Sequence, residues 1–221
     1  MGRRPRVTQP VSHAYLRPAA DRPVAETEVR RSRFIACAAR VPDEDAARAF
    51  LAEVRAGFTD ARHHCSAYIL HVDGANPVER SGDDGEPAGT AGQPMLEVLR
   101  GSGLQDVAVV VVRYFGGVKL GTGGLVRAYQ DATRAVLADI TVMRREPRDV
   151  WTLEVDHAEA GKIEAELRAR GLDVEASYGQ TVTLILTVAA GEDPGGIVRE
   201  ISAGTLEIVR VGSRWDDVKA G

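Results

Sequence analysis

The sequence predicts an α+β protein of two domains, and three observations carry that prediction. Stretches of strand and helix periodicity occur in mixed order rather than in regular βα alternation. A polar, proline-containing segment at 144–149 (RREPRD) interrupts them and marks a domain boundary. Beyond that segment the chain runs strand, helix, strand, strand, helix, strand, the split βαββαβ order of ferredoxin-like domains. The expected layout is a flexible arm over 1–23, a first domain over 24–147, a second over 148–212 and a tail over 213–221.

The arm is polar and punctuated by prolines, without periodicity. Val24–Arg31 alternates as a strand, and Arg33–Val41 is its neighbour. Asp43 suits the N-cap of a helix whose apolar face is Ala46, Ala47, Phe50, Leu51 and Val54. Cys65–Val72 is a third strand. The Gly-, Asp- and Pro-rich segment from Asp73 to Gly92 is a long loop, a length that usually has a function. A short helix spans about Gln93 to Arg100. Val107–Val112 is β-branched and apolar throughout, which predicts a central strand covered on both faces. A glycine loop then opens into a helix with Leu125, Tyr129, Ala132 and Val136 on one face.

In the second domain Trp151, Leu153 and Val155 alternate, and Ala160, Ile163 and Leu167 form a helical stripe closed by Gly171. Val182 to Val188 alternates again. Asp193 and Pro194 begin a second helix as N-cap and first residue, with Ile197 and Ile201 inward and Gly204 at its end. Leu206–Val211 is the last strand. Glu164, Glu166 and Arg168 fall on a solvated helix face, so this domain reads as a structural or partner-binding module without catalytic residues.

Composition is that of a globular chain, with 44% hydrophobic and 27% charged residues. No apolar run approaches the ~18 residues of a membrane span, and the arginine-rich start has no hydrophobic segment of a secretory signal. Cys37 and Cys65 are the only cysteines, which fits a reducing, cytoplasmic setting and two small buried side chains. Net charge is −4 but uneven: residues 1–23 carry five arginines and one aspartate, whereas 150–212 carry five basic and eleven acidic groups. A basic nucleic-acid-binding face could come only from the arm or the first domain.

Two loops hold the candidate chemistry. ERSGDDGEPAGTAGQP (Glu79–Pro94) clusters Asp83, Asp84 and Glu86, three oxygen donors suited to a hard divalent cation such as Mg²⁺. RYFGGVKLGTGG (Arg113–Gly124) has five glycines in nine positions and offers Arg113, Lys119, Gly121 and Thr122, with Arg127 just beyond. A helix start after such a loop favours an anion. The order Lys119, Leu120, Gly121, Thr122 rules out a Walker A site. An acidic and a basic loop in one domain also pair readily with each other, and the two are expected side by side at one edge of the sheet. His63 and His64 lack the further ligands that zinc needs; either is a candidate general base and His63 a candidate ligand-binding residue, and a strand-entry histidine is the plainer account. Ser81 has no nucleophile-elbow context.

SRFIA (Ser32–Ala36), ARH (Ala61–His63), DDGEPAGTAGQP (Asp83–Pro94) and VVRYFGGVKLGTGGLVRAY (Val111–Tyr129) together resemble the IMPACT family and its bacterial YigZ-like members, over about residues 24–212. The resemblance implies a first domain that is a two-layer α/β sandwich, ribosomal-protein-like in having the fold of the second domain of a small-subunit ribosomal protein. It implies a ferredoxin-like second domain similar to the last domain of elongation factor G. The arginine-rich arm and the acidic second domain are departures. Eukaryotic relatives regulate translation initiation through an additional domain, and that activity is not carried over. The implied function is a translation-associated regulatory or binding protein contacting RNA, the ribosome or a translation factor, with no catalytic residue. The alternative is a magnesium-dependent enzyme acting on a phosphorylated small molecule or nucleotide.

Overall fold

The computed structural model describes residues 13–220. The chain forms two compact units, one ending at Arg144 and regained at Val218, the other Arg145–Asp217. In the first unit lie β1 (Tyr15–Pro18), β2 (Val24–Val29), β3 (Ser32–Arg40), α1 (Glu44–Gly57), β4 (His63–Leu70), β5 (Val78–Gly82), α2 (Gly92–Ser102), β6 (Val107–Tyr114) and α3 (Thr122–Ala138). Its main sheet has the order β2-β3-β6-β4-β5 with every pairing antiparallel.

The two central strands are apolar at successive positions, so both sheet faces need cover. Phe34, Ala36, Val109 and Val111 point to one side, where α2 and α3 supply Met95, Leu99, Tyr129 and Val136. Ile35, Cys37, Val110 and Val112 point to the other, where α1 supplies Ala47, Phe50 and Val54. The unit therefore has three layers, and the expected two-layer sandwich does not hold. Asp43 caps α1, its Oδ1 accepting the Ala46 N–H at 2.8 Å, as its position before the apolar stripe implies.

Two expectations are corrected by strand pairing. The loop Asp73–Gly92 contains β5, whose Val78–Gly82 pairs with Leu70–Ser66. Its sequence VERSG is polar because it is an edge strand, half exposed. The arm over 1–23 lies partly outside the described residues, but Tyr15–Pro18 is a strand. Asp106 anchors it, accepting from the Tyr15 hydroxyl at 2.6 Å and pairing with Arg17. The polar segment 144–149 lies inside a continuous strand, β7 (Val142–Val155), and the two units divide within it, between Arg144 and Arg145.

After β7 the second unit runs α4 (His157–Ala169), β8 (Asp173–Tyr178), β9 (Val182–Ala189), α5 (Gly195–Ile201) and β10 (Val209–Lys219). The last strand starts later than Leu206 and takes in most of the segment expected as a tail. β9 pairs antiparallel with both β7 and β8, and β10 pairs with β7. Leu153, Leu184 and Leu186 form one face beneath Ile163, Leu167 and Val198 of the helices. Arg168 pairs with Glu164 at 2.8 Å on the outer side of α4. Among the described residues no helix is long and apolar enough to cross a membrane.

Candidate functional site

The chemistry-bearing residues gather where β6 leaves the sheet. Arg113 is its last fully buried residue, 7% exposed, and His63 and Phe34 flank it across the register. A charge there requires a partner. Glu86, 8% exposed, supplies it: Arg113 Nη1 lies 2.7 Å from Glu86 Oε1. The Tyr129 hydroxyl donates to the same oxygen at 2.8 Å, and the Cys65 thiol reaches the Tyr129 oxygen at 3.3 Å. Burial pushes the Cys65 thiol up to about 12 and raises the Tyr129 phenol as well. Neither is a nucleophile near neutral pH; Tyr129 serves the buried pair, and the Cys65 thiol also donates to the Asp83 carbonyl at 3.0 Å.

The acidic loop is held just as closely. Asp83 accepts from the backbone N–H groups of Gly89 at 2.7 Å, Gly92 at 2.8 Å and Ala91 at 3.1 Å. It therefore fills the anion position at the start of α2 from within the chain. Burial raises its pKa, but the three N–H bonds outweigh that and leave it lowered. A group with a lowered folded pKa adds stability that is full above the unfolded value, about 3.9, and is lost as pH falls through the folded value. Asp83→Ala is expected to cost about 1–2 kcal/mol at neutral pH. The deficit should shrink on acidification below that unfolded value, in urea unfolding followed by far-UV circular dichroism across pH.

Asp84, at φ 43°, presents Oδ1 to Arg55 and accepts the His64 N–H on Oδ2 at 2.7 Å. Its carbonyl lies 2.9 Å from His63 Nδ1. The three carboxylates expected as metal ligands thus turn to three different sets of protein donors. Among the described residues no three His, Cys, Asp or Glu side chains form a group able to hold a metal ion.

The glycine loop has a separate logic. A Cβ on Gly116 would lie 2.0 Å from the Arg31 carbonyl carbon and 2.3 Å from Ser32 N. The loop thus rests on the β2–β3 turn, where Ser32 Oγ accepts the Gly116 N–H at 3.1 Å. Gly121, at φ 72° and ψ 167°, enters α3 through a conformation open essentially to glycine, and no side chain caps that helix. Lys119, Thr122 and Arg127 are exposed around it.

Of the expected site residues, the structure joins Arg113 to Glu86 and His63 to Asp84. It leaves Lys119, Gly121, Thr122 and Arg127 as an open rim. Arg113, expected to contact a phosphate, is buried and paired with Glu86. Sequence reasoning missed Arg30 and Arg31, exposed at the turn against Gly116, and Arg62, which lines a cleft with Phe115. Two adjacent arginines between paired strands were the available signal. Among the described residues Arg30, Arg31, Arg62, Lys119 and Arg127 make no ion pair.

Known proteins resemble this chain over most of its length. The IMPACT family member YigZ of Escherichia coli (strain K12) is 38% identical over 201 residues, covering 90% of this chain and 98% of that protein. The chain belongs to the IMPACT family. The Impact N-terminal domain matches residues 30–137 of this IMPACT protein, and a domain of unknown function, DUF1949, matches 153–192. The family member YvyE of Bacillus subtilis (strain 168) is 42% identical over 71% of this chain and 72% of its own length. A crystal structure of a hypothetical protein, 37% identical, covers 90% of this chain and 97% of that one with a TM-score of 0.60. The structure of the two-domain translational regulator Yih1 covers 63% of this chain and 54% of that one at 26% identity, with a TM-score of 0.35.

Proposed function

We propose that this IMPACT protein is a translation-associated regulatory protein that contacts RNA, on the ribosome or free, through the rim at the end of β6. Family membership supports the translation setting, and the cytoplasm is where that contact takes place. The observation that carries the RNA contact is a separation of charge. The carboxylates of Asp83, Asp84 and Glu86 are bonded internally, while Arg30, Arg31, Arg62, Lys119 and Arg127 project unpaired from neighbouring segments. Such a surface attracts phosphates without regard to sequence. The uncapped start of α3 adds free backbone N–H groups to the same rim. A magnesium-dependent reaction has no observation in its favour, because Asp83, Asp84 and Glu86 are already satisfied by protein donors. The second unit, acidic in sequence, acts as a structural or partner-binding domain; its βαββαβ order supports a ferredoxin-like assignment. The antiparallel sheet carrying helices in the first unit is the feature that supports a ribosomal-protein-like one.

A salt titration of RNA binding tests the proposal. Lys119→Ala and Arg127→Ala should each weaken binding to all sequences alike, and each should reduce the slope of log affinity against log salt by about one unit. Gly121→Val should weaken binding without changing charge, because valine does not adopt the Gly121 backbone conformation. Unchanged affinity and slope in both charge variants would overturn the RNA reading.

A further inference from the structure

The rim contains a cleft of about 310 Å³ bounded by Asp60, Arg62, His63, Arg113, Tyr114 and Phe115. We infer that this cleft receives one unstacked nucleotide, its base lying on the Phe115 ring and its phosphate on Arg62. The inference rests on the RNA reading above and specifies the form of the ligand. Phe115 is 57% exposed and belongs to neither core cluster of its unit. An aromatic ring left open in this way is a stacking surface that lacks its partner. The Arg113 guanidinium lies 5.7 Å from the Phe115 ring centre and 5.5 Å from that of Phe34. Since Glu86 holds that guanidinium in place, the ring has a fixed backing on one side and solvent on the other.

The polar lining is mixed, which separates a nucleotide from a simple anion. Arg62 is an unpaired cation at the mouth. His63 engages the Asp84 carbonyl through Nδ1, leaving Nε2. Asp60 accepts the Tyr114 hydroxyl on Oδ1 at 2.7 Å and has Oδ2 to accept an N–H from a base edge. That carboxylate repels bare phosphate but suits a ligand with an anionic end and a donor-bearing ring. The volume lies at the small end of ligand sites, enough for one nucleotide and too small for a duplex. Bases inside a duplex are stacked and paired, so only a free nucleotide or a single-stranded, looped or bulged RNA can offer a ring face.

The test uses the full chain and three probes: a single-stranded RNA of about 12 nucleotides, the same sequence as a duplex, and adenosine 5′-monophosphate. Phe115→Ala should weaken single-strand binding roughly 5- to 150-fold, leave the salt slope unchanged and leave duplex binding unaffected. Phe115→Trp should restore single-strand binding, and an unchanged melting temperature in Phe115→Ala would show that the fold is intact. Adenosine monophosphate binding that disappears in Phe115→Ala, with single-strand affinity indifferent to it, would identify a free nucleotide as the occupant. Equal losses for single strand and duplex, or no loss with any probe, would overturn the cleft while Lys119→Ala still reports on the RNA reading. If wild type bound neither RNA, that reading would fall. Binding of adenosine monophosphate that depends on Phe115 would then keep the cleft, and its absence would overturn it.

Discussion

Arg113→Met is expected to destabilise the first unit by about 3–5 kcal/mol, because it leaves the Glu86 carboxylate buried without its countercharge. The Tyr129 hydroxyl still donates to Glu86, but one neutral hydrogen bond does not offset a desolvated charge. Adding Glu86→Leu should recover most of the loss, since an apolar pair of similar volume avoids the desolvation cost altogether. Both tryptophans, Trp151 and Trp215, lie in the second unit, so tryptophan fluorescence would follow the wrong transition. Hydrogen exchange of the β6 amides under increasing urea is the suitable measurement. A loss below about 1 kcal/mol in Arg113→Met would show that the pair is not a buried ionic contact.

Gly116→Ala carries the second large effect. The added methyl would meet the Arg31 and Ser32 backbone at 2.0–2.3 Å, and backbone cannot step aside as a side-chain end can. The loop must lift from the β2–β3 turn, at a cost near the top of the roughly 1–3 kcal/mol range for overpacking. It would also displace Phe115 and loosen the geometry of Lys119, so RNA binding should weaken without a change in charge. Two neighbouring glycines separate this cause from glycine's general flexibility. Gly117 has open space but φ 84°, so alanine there adds only the strain of a left-handed residue, about 1–2 kcal/mol. Gly123 is helical with open space, and alanine there should stabilise by roughly 0.5–1 kcal/mol. If all three alanine variants behaved alike, the close approach of Gly116 would not be what the loop requires.

Much of the fold was legible along the chain. Val107–Val112 read as a central strand because six consecutive apolar residues admit little else, and Val109 and Val111 do face α3 while Val110 and Val112 face α1. The stripe Leu125, Tyr129, Ala132 and Val136 read as one helix face and is buried as one. Strands that lack an apolar pattern of their own were not legible. β5 is polar because it is the last strand of its sheet and half exposed, and β7 continues through Arg144–Asp149 although that segment is polar and contains a proline.

The candidate site divides along the same line. By itself the sequence determined which residue types were present: a loop of carboxylates, a glycine loop with cations, and motifs specific enough to indicate the family. Spacing along a chain reports helical and strand periods, since those arise from backbone geometry alone. Only the tertiary structure decided that Arg113 and Glu86, 27 positions apart, neutralise one another in the interior while Lys119 and Arg127 remain outside. Only it decided that Gly116 serves the backbone of Arg31, 85 residues earlier, and that Phe115 is left uncovered. The reason is physical: a charge becomes structural or functional according to whether a partner shares its burial, and burial is a property of the packed sheet and helices together.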